Sequence, residues 1–381
     1  MKEKIWIYIL FATSLFSCEK THNPIHDKII YVDIEKNKIK EFDSLNVTKF
    51  VVLETNDDVL IEDVYRVSVI DSCILIFDGK LIYLFSESGR FIRQIGTQGP
   101  GPNEYYRIDA LYIDIREKTI YIADMNKQCI FVFDLQGKII DKTKINNYFF
   151  NDFIKIGNNY LIHSVSNFNN SEGYALRLVD DSFNKTIVGY LSQKNFFVSS
   201  LHQSYFMSKD TINYFFYSYN NTIYTLSEDS IIPMLKIDLG EKEIPFEILK
   251  NIVSLDDYHK LYDQNYWGNI ESYLFCRNDF YFTISKISKQ ASNKYSVRID
   301  LITMRSDVFH SYVVYTPLPE IHIPFKEIPF TYPIASYNDN LIYIIYPFML
   351  DENSIKLLKE ENLDVDEESN PILFFVSDSG N

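Results

Sequence analysis

Recognisable catalytic signatures are what this sequence has least of. It has no G-x-S-x-G elbow, no G-x-x-x-x-G-K-[ST] phosphate loop, no H-E-x-x-H and no C-x-x-C. A strand-to-helix nucleophile, a nucleotide cradle, a zincin pair and a redox dithiol are therefore not written in it. Seven histidines (22, 26, 163, 202, 259, 310 and 322) fall at no ligand spacing. Asp364-Val365-Asp366-Glu367-Glu368 lacks the glycine and the spaced ligands of a calcium loop, so it reads as a solvated charge run. No metal and no cofactor is implied. Cysteine is scarce at four. Cys73, Cys129 and Cys276 each sit inside an apolar run, where a free thiol acts as a small buried hydrophobe. Positive charge is also short, with 37 Lys and Arg against 52 Asp and Glu and a net charge of −15. That disfavours nucleic acid, whose binding rests on neutralising phosphates, and an anionic membrane surface. Acidity of this size keeps a protein soluble. Beyond the first residues, no apolar run is long enough for a membrane-spanning helix.

The N-terminus carries the clearest local signal. Lys2 and Lys4 form a basic start, and Ile5–Phe16 is a mostly apolar stretch of signal-peptide length, too short to cross a bilayer. It ends in Leu15-Phe16-Ser17-Cys18, which resembles the lipobox of bacterial lipoproteins; Phe16 departs from the small residue usual there. The expectation is a signal peptide over 1–17, lipidation at Cys18 and a polar tether over 18–28. Losing 1–17 removes Lys2, Glu3 and Lys4, a net of +1, and leaves −16.

From Ile29 onward the chain is rich in the aromatics that suit pleated, half-buried surfaces, with 29 Tyr and 29 Phe. Short apolar runs are broken by Asp, Asn and Gly every few residues, as in an all-β chain. A repeat is visible. Cys73-Ile74-Leu75-Ile76-Phe77-Asp78, Leu81-Ile82-Tyr83-Leu84-Phe85 and Gly89 return as Thr119-Ile120-Tyr121-Ile122-Ala123-Asp124, Ile130-Phe131-Val132-Phe133-Asp134 and Gly137. Asp78 to Asp124 is 46 residues and Gly89 to Gly137 is 48, the period of a four-stranded propeller blade. The aspartates are placed to bond turn amides, and the glycines to supply positive φ in a hairpin. The apolar runs are continuous, as strands covered on both faces require. Weaker strand pairs place four further units near 159–179, 211–226, 279–299 and 340–376. Glu241–Trp267, with Ile244, Ile248, Ile252 and Leu255 at helical spacing, reads as a helical insertion, and Leu350–Asn370 as a short helix or lid-like loop.

The last unit stops after three strands, and an open edge leaves backbone groups unpaired. Thr48–Leu53 precedes the first unit and has no other partner. It is the strand expected to complete the last blade, which makes the count six.

Phe91-Ile92-Arg93-Gln94-Ile95-Gly96-Thr97-Gln98-Gly99-Pro100-Gly101-Pro102-Asn103-Glu104-Tyr105 resembles the end of the first blade in six-bladed β-propeller lipoproteins of Bacteroidota, distant relatives of NHL-repeat propellers. Asn370-Pro371-Ile372-Leu373 is similar to that family's approach to its final strand. The resemblance spans residues 29–381. It implies an all-β, six-bladed propeller and a cell-envelope location, as an outer-membrane lipoprotein facing the periplasm or the surface. That family is largely of unknown function, so it transfers no catalytic residue.

The loop 96–106 has two readings. In one, Gly99, Gly101, Glu104, Tyr105 and Tyr106 line a ligand site on the face where blades are joined. In the other, the glycines make a tight crossover and Glu104 caps backbone amides. The function expected is a monomeric binding module for a protein or a glycan, attached to the membrane through its lipid alone. The alternatives are a structural subunit of an envelope complex, docked through Glu241–Trp267, and a lyase or hydrolase with its site at the channel mouth.

Overall fold

The computed structural model describes residues 28–35, 46–164, 173–192, 204–217, 219–252, 254–262, 264–289, 294–310, 312–317, 324–330, 332–360, 363 and 365–377. The signal-peptide segment 1–17, Cys18 and the tether up to residue 27 lie outside the described residues. Lys28, the end of the expected tether, opens a strand.

Six four-stranded antiparallel sheets form a six-bladed β-propeller. Blade 1 holds Arg66–Ile70, Cys73–Phe77, Ile82–Phe85 and Phe91–Gln94, from the inner strand outward. Blade 2 holds Ala110–Asp114, Thr119–Asp124, Cys129–Asp134 and Ile139–Lys144. Blade 3 holds Asp152–Ile156, Asn159–His163, Tyr174–Val179 and Thr186–Ser192. Blade 4 holds Phe206–Lys209, Ile212–Tyr217, Thr222–Leu226 and Ile231–Asp238. Blade 5 holds Glu271–Cys276, Asp279–Ser285, Lys294–Asp300 and Arg305–His310.

Blade 6 is assembled from both ends of the chain. Ala335–Tyr337, Asn340–Ile345 and Ile372–Ser377 supply three strands, and Val47–Val52 pairs antiparallel with the last of them as the outer strand. The ring is closed by the strand that the sequence left without another partner.

Burial follows position in the blade. Ile82–Phe85 is buried throughout, while Ile139–Lys144 on an outer edge is mostly open. The core lies between blades: Ile74, Phe85, Ile342 and Leu373 join blades 6 and 1, and Leu75, Leu84, Leu111 and Phe131 join blades 1 and 2. Each fully buried Phe, Leu or Ile contributes about 1.5–3 kcal/mol. Asp78 accepts from Lys80 N (2.8 Å) and Leu81 N (2.6 Å), and Asp124 from Asn126 N and Lys127 N (2.9 Å each). Gly89 and Gly137 take the positive φ that their hairpins require. Cys129 and Cys276 are buried free thiols and Cys73 is half-buried. Burial pushes the Cys129 thiol up to about 11.

Two additions stand outside the six-fold pattern. Lys28–Tyr31 pairs in parallel with Ile231–Asp238, giving blade 4 a fifth strand. Val32 and Ile34 follow it into the core between blades 4 and 5, and the Glu35 carboxylate bridges Lys242 and Lys286. Between blades 5 and 6, Tyr312–Pro317 pairs with Pro324–Phe330 as a separate hairpin.

The insertion at 241–267 is not one helix. Helix α1 (Phe246–Leu249) begins after Pro245, and α2 (Leu255–His259) begins at Ser254, whose Oγ accepts from Asp257 N at 3.2 Å. Proline and a serine cap each start a new helix, so the even spacing of Ile244, Ile248 and Ile252 crosses a break. Ile244, Leu249, Ile252 and Leu261 are buried against Tyr219 and Ile287. The second insertion contains helix α3 (Glu352–Glu360).

Candidate binding face

The four strands of each blade alternate in direction, so its turns divide between the two faces of the ring. On one face the connections are short: 71–72, 115–118, 157–158, 210–211, 277–278 and 338–339, with 86–90, 135–138, 180–185, 227–230 and 301–304. Asp71-Ser72 and Asn338-Asp339 have positive φ at both residues, as in the tight hairpin turns that match strand twist. The long connections between blades, 53–65, 95–109, 193–205, 239–270 and 311–334, and the long one inside blade 6, 346–371, start and end on the other face; the segment from Tyr31 to Val47 starts there and ends on the tight-turn face.

The connection 95–109 is a knot of hydrogen bonds. Gly101 N donates to Glu104 Oε2 at 2.7 Å, so Glu104 caps a loop amide. A Cβ on Gly99 would lie 2.3 Å from the same oxygen, and one on Gly101 2.8 Å. Glycine is required here because the Glu104 carboxylate folds against the loop. Lys127 reaches in from blade 2. Its Nζ donates to the carbonyls of Gly99 (3.0 Å), Gly101 (2.6 Å) and Glu104, and lies 4.6 Å from the centre of the Tyr106 ring. Lys142 Nζ donates to Pro102 O at 2.5 Å. Tyr105 is fully buried beside Gly96 and Phe133, and burial pushes its hydroxyl well above the usual tyrosine range. Tyr106 N donates to Asp124 Oδ2 at 2.6 Å while its ring stays 47% exposed. Of the five residues singled out in this loop, Tyr106 is the one that presents a large side chain to solvent.

A second cluster lies where blades 3, 4 and 5 meet the same face. Asp152 opens the inner strand of blade 3 and is buried. It accepts from Phe153 N (2.9 Å), Tyr205 N (2.6 Å), Phe206 N (3.2 Å) and Ser204 Oγ (3.1 Å). Burial raises its carboxyl to about 6, opposed by the charge of Arg66 from blade 1 and by these amides. Arg66 itself donates to Leu111 O at 2.7 Å. His163, paired in register with Asp152, is buried among Tyr205, Phe215 and Tyr217, with Nδ1 2.8 Å from Ala175 O. Burial lowers it to about 4, and the ring is neutral at pH 7. Arg177 donates to Ser164 Oγ (2.7 Å), and Tyr273 OH to Ser204 O (2.7 Å). Phe153 N meets Oδ1, and Ser204, Tyr205 and Phe206 converge on Oδ2, so the carboxylate staples blade 3 to blade 4.

The third feature joins the connections 53–65 and 346–371. Asn370 is fully buried. Its Oδ1 accepts from Ile61 N (2.7 Å), and its Nδ2 donates to Glu54 O (2.7 Å) and Val59 O (3.1 Å). Tyr346 OH donates to Asp63 Oδ1 (2.8 Å) and accepts from Val64 N (2.9 Å). Segments 53–65 and 346–371 are thus latched together, and Leu60, Tyr65, Phe348 and Met349 are exposed on them. The motif reading reached Asn370 through the Asn-Pro pair, but its partners lie about 310 residues away in sequence. Tyr346, Asp152 and Lys127 carry no local motif that marks them.

Among the described residues, no group of three or more His, Cys, Asp or Glu side chains is placed to hold a metal ion, and no helix is long and apolar enough to cross a membrane.

Comparison with known proteins agrees with this architecture. The family described as a domain of unknown function (DUF4934) matches residues 27–377. A Bacteroides fragilis protein, named as a candidate exported protein, superposes with a TM-score of 0.70 at 19% identity, covering 92% of this chain and 99% of that one. A member of the DUF4221 family from Bacteroides vulgatus superposes with a TM-score of 0.53 at 9% identity, covering 88% of this chain and 98% of that one. At these identities the likeness is one of fold. No curated protein matches the sequence.

Proposed function

The chain belongs to the DUF4934 family, a domain of unknown function, and for it we propose the role of a binding module held in the cell envelope. The face with the long connections takes a protein or glycan ligand. The observation that carries this reading is the uneven distribution of connections: the long links between blades open on one face, and on the opposite face the strands within each blade are joined by short turns. Long connections on a rigid scaffold are where binding residues concentrate. Asp152 and His163, the buried titratable pair near the channel, are held by structural partners, which supports binding over catalysis. Export is supported by Lys2, Lys4 and the apolar stretch Ile5–Phe16, and by the name of the Bacteroides fragilis relative. Anchoring in the outer membrane through Cys18 is supported by Leu15-Phe16-Ser17-Cys18. The test is a glycan array run beside a pull-down from envelope extract, using the immobilised ring. Retention of a defined glycan or protein is expected, and retention of neither overturns the reading.

A further inference from the structure

Four large apolar side chains are exposed on the two connections latched by Asn370 and Tyr346. Leu60 is 60% exposed, Tyr65 37%, Phe348 63% and Met349 42%. Elsewhere the exposed apolar residues include single positions on tight turns or outer strands, such as Ile302, Ile115 and Ile140. Scattered exposure of that kind is ordinary; a group on adjoining segments marks an interaction site.

The backbone beneath the group is fixed before any partner arrives. Asn370 holds Glu54, Val59 and Ile61, Tyr346 holds Asp63 and Val64, and the Tyr346 and Phe348 rings stack at 5.5 Å. Val59, Ile61 and Val64 are buried below. Preorganisation of this kind removes an ordering cost from binding.

Charge selects the occupant. Segment 53–65 carries Glu54, Asp57, Asp58, Glu62 and Asp63 and no Lys or Arg, and Asp351 and Glu352 lie just beyond Met349 and Leu350. The Glu62 ion pair with Lys80 is 3.4 Å long and exposed on both sides, a contact of small worth that a partner can replace. An acidic rim repels nucleic acid, anionic glycans and a second copy of itself on a chain of net charge −15. Leu60 and Met349 offer aliphatic and thioether surface, which suits apolar protein side chains better than the flat face of a sugar.

We propose that this surface docks a protein segment in which apolar and basic side chains are interspersed, the apolar ones seating on Leu60, Tyr65, Phe348 and Met349 and the basic ones facing the rim. The proposal rests on the binding-module reading and names the partner class for one part of its face.

The test uses the full ring and two labelled synthetic 15-residue peptides, one of interspersed Lys, Leu and Phe and one with Glu in place of each Lys, read by fluorescence anisotropy. The Lys peptide is expected to bind and the Glu peptide not. Leu60→Ser with Phe348→Ser should weaken binding at least tenfold while circular dichroism shows the ring still folded. Asp58→Lys with Glu62→Lys should weaken it severalfold and flatten its salt dependence. The same charge change on the tight-turn face, Asp181→Lys with Asp229→Lys, should leave it unaltered. Absence of Lys-peptide binding, or equal weakening by both charge pairs, overturns the proposal. An envelope partner held equally by the wild-type and Leu60→Ser/Phe348→Ser rings overturns it too, yet leaves the binding-module reading intact; retention by neither ring removes both.

Discussion

Asp152 and His163 are register partners on the two inner strands of blade 3, both buried, and burial moves them in opposite senses. Asp152 rises from 3.8 to about 6, so its contribution to stability is full below pH 3.8 and is lost as pH rises through 6. His163 falls from 6.5 to about 4, so its contribution is full above pH 6.5 and is lost as pH falls toward 4. Each amounts to about 3 kcal/mol at the energy of a pKa unit, and between pH 4 and 6.5 they oppose one another. Urea unfolding of His163→Gln should therefore show stability rising by about that amount from pH 6.5 to 4, while Asp152→Asn should show it falling. Parallel pH profiles for the two variants would contradict the assignment.

Lys127 is the hub of the 95–109 connection, with three loop carbonyls on one ammonium. Lys127→Met should cost about 1–3 kcal/mol and speed amide exchange across 97–106 while leaving blades 4 and 5 protected. Gly99→Ala forces a Cβ against Glu104 Oε2, so Glu104→Ala in the same chain should relieve part of its cost. Strict additivity of the two changes would show that the carboxylate does not set the requirement for glycine.

Closure joins residues more than 300 positions apart in sequence. Removing Thr48–Leu53 leaves blade 6 with three strands and an open edge, and thermal denaturation should show a large loss of stability. Asn370→Ala strands the Ile61 amide and two carbonyls in a buried site and should cost about 2–4 kcal/mol. A deletion variant as stable as the full chain would show that the ring is not closed this way.

Cys18→Ala should abolish metabolic labelling with a lipid precursor and move the protein from the membrane to the soluble fraction of the envelope. Unchanged fractionation would remove the anchor from the account.

How much of this was legible depends on how local the cause is. Asp78, Asp124, Gly89 and Gly137 act within a few residues of themselves, so the blade repeat could be read directly. The closing strand could be found because the last unit lacked one. Lys28–Tyr31 could not, since Ile30 is the one buried residue among its four and leaves no pattern to detect. The hairpin of Tyr312–Pro317 and Pro324–Phe330 is hidden by its own prolines, which argue against strands. The helical spacing over 244–255 located the helical insertion but not its division, because Pro245 and Ser254 each start a separate short helix. At the binding face, the capping role of Glu104 follows from its neighbours in sequence, whereas Lys127, Tyr346 and Asp152 act on segments far from themselves.

The central claim is that the long-connection face is the working face, and site-specific photocrosslinking in the native envelope tests it most directly. A photoreactive amino acid is placed at Phe246 or Phe348 on that face, or at Ile212 or Ile302 on or beside the tight turns of the other, and adducts are identified by mass spectrometry. Adducts to a defined protein or glycan from 246 or 348, with none from 212 or 302, are the predicted result. Adducts from the tight-turn face alone, or equally from both faces, would contradict the account.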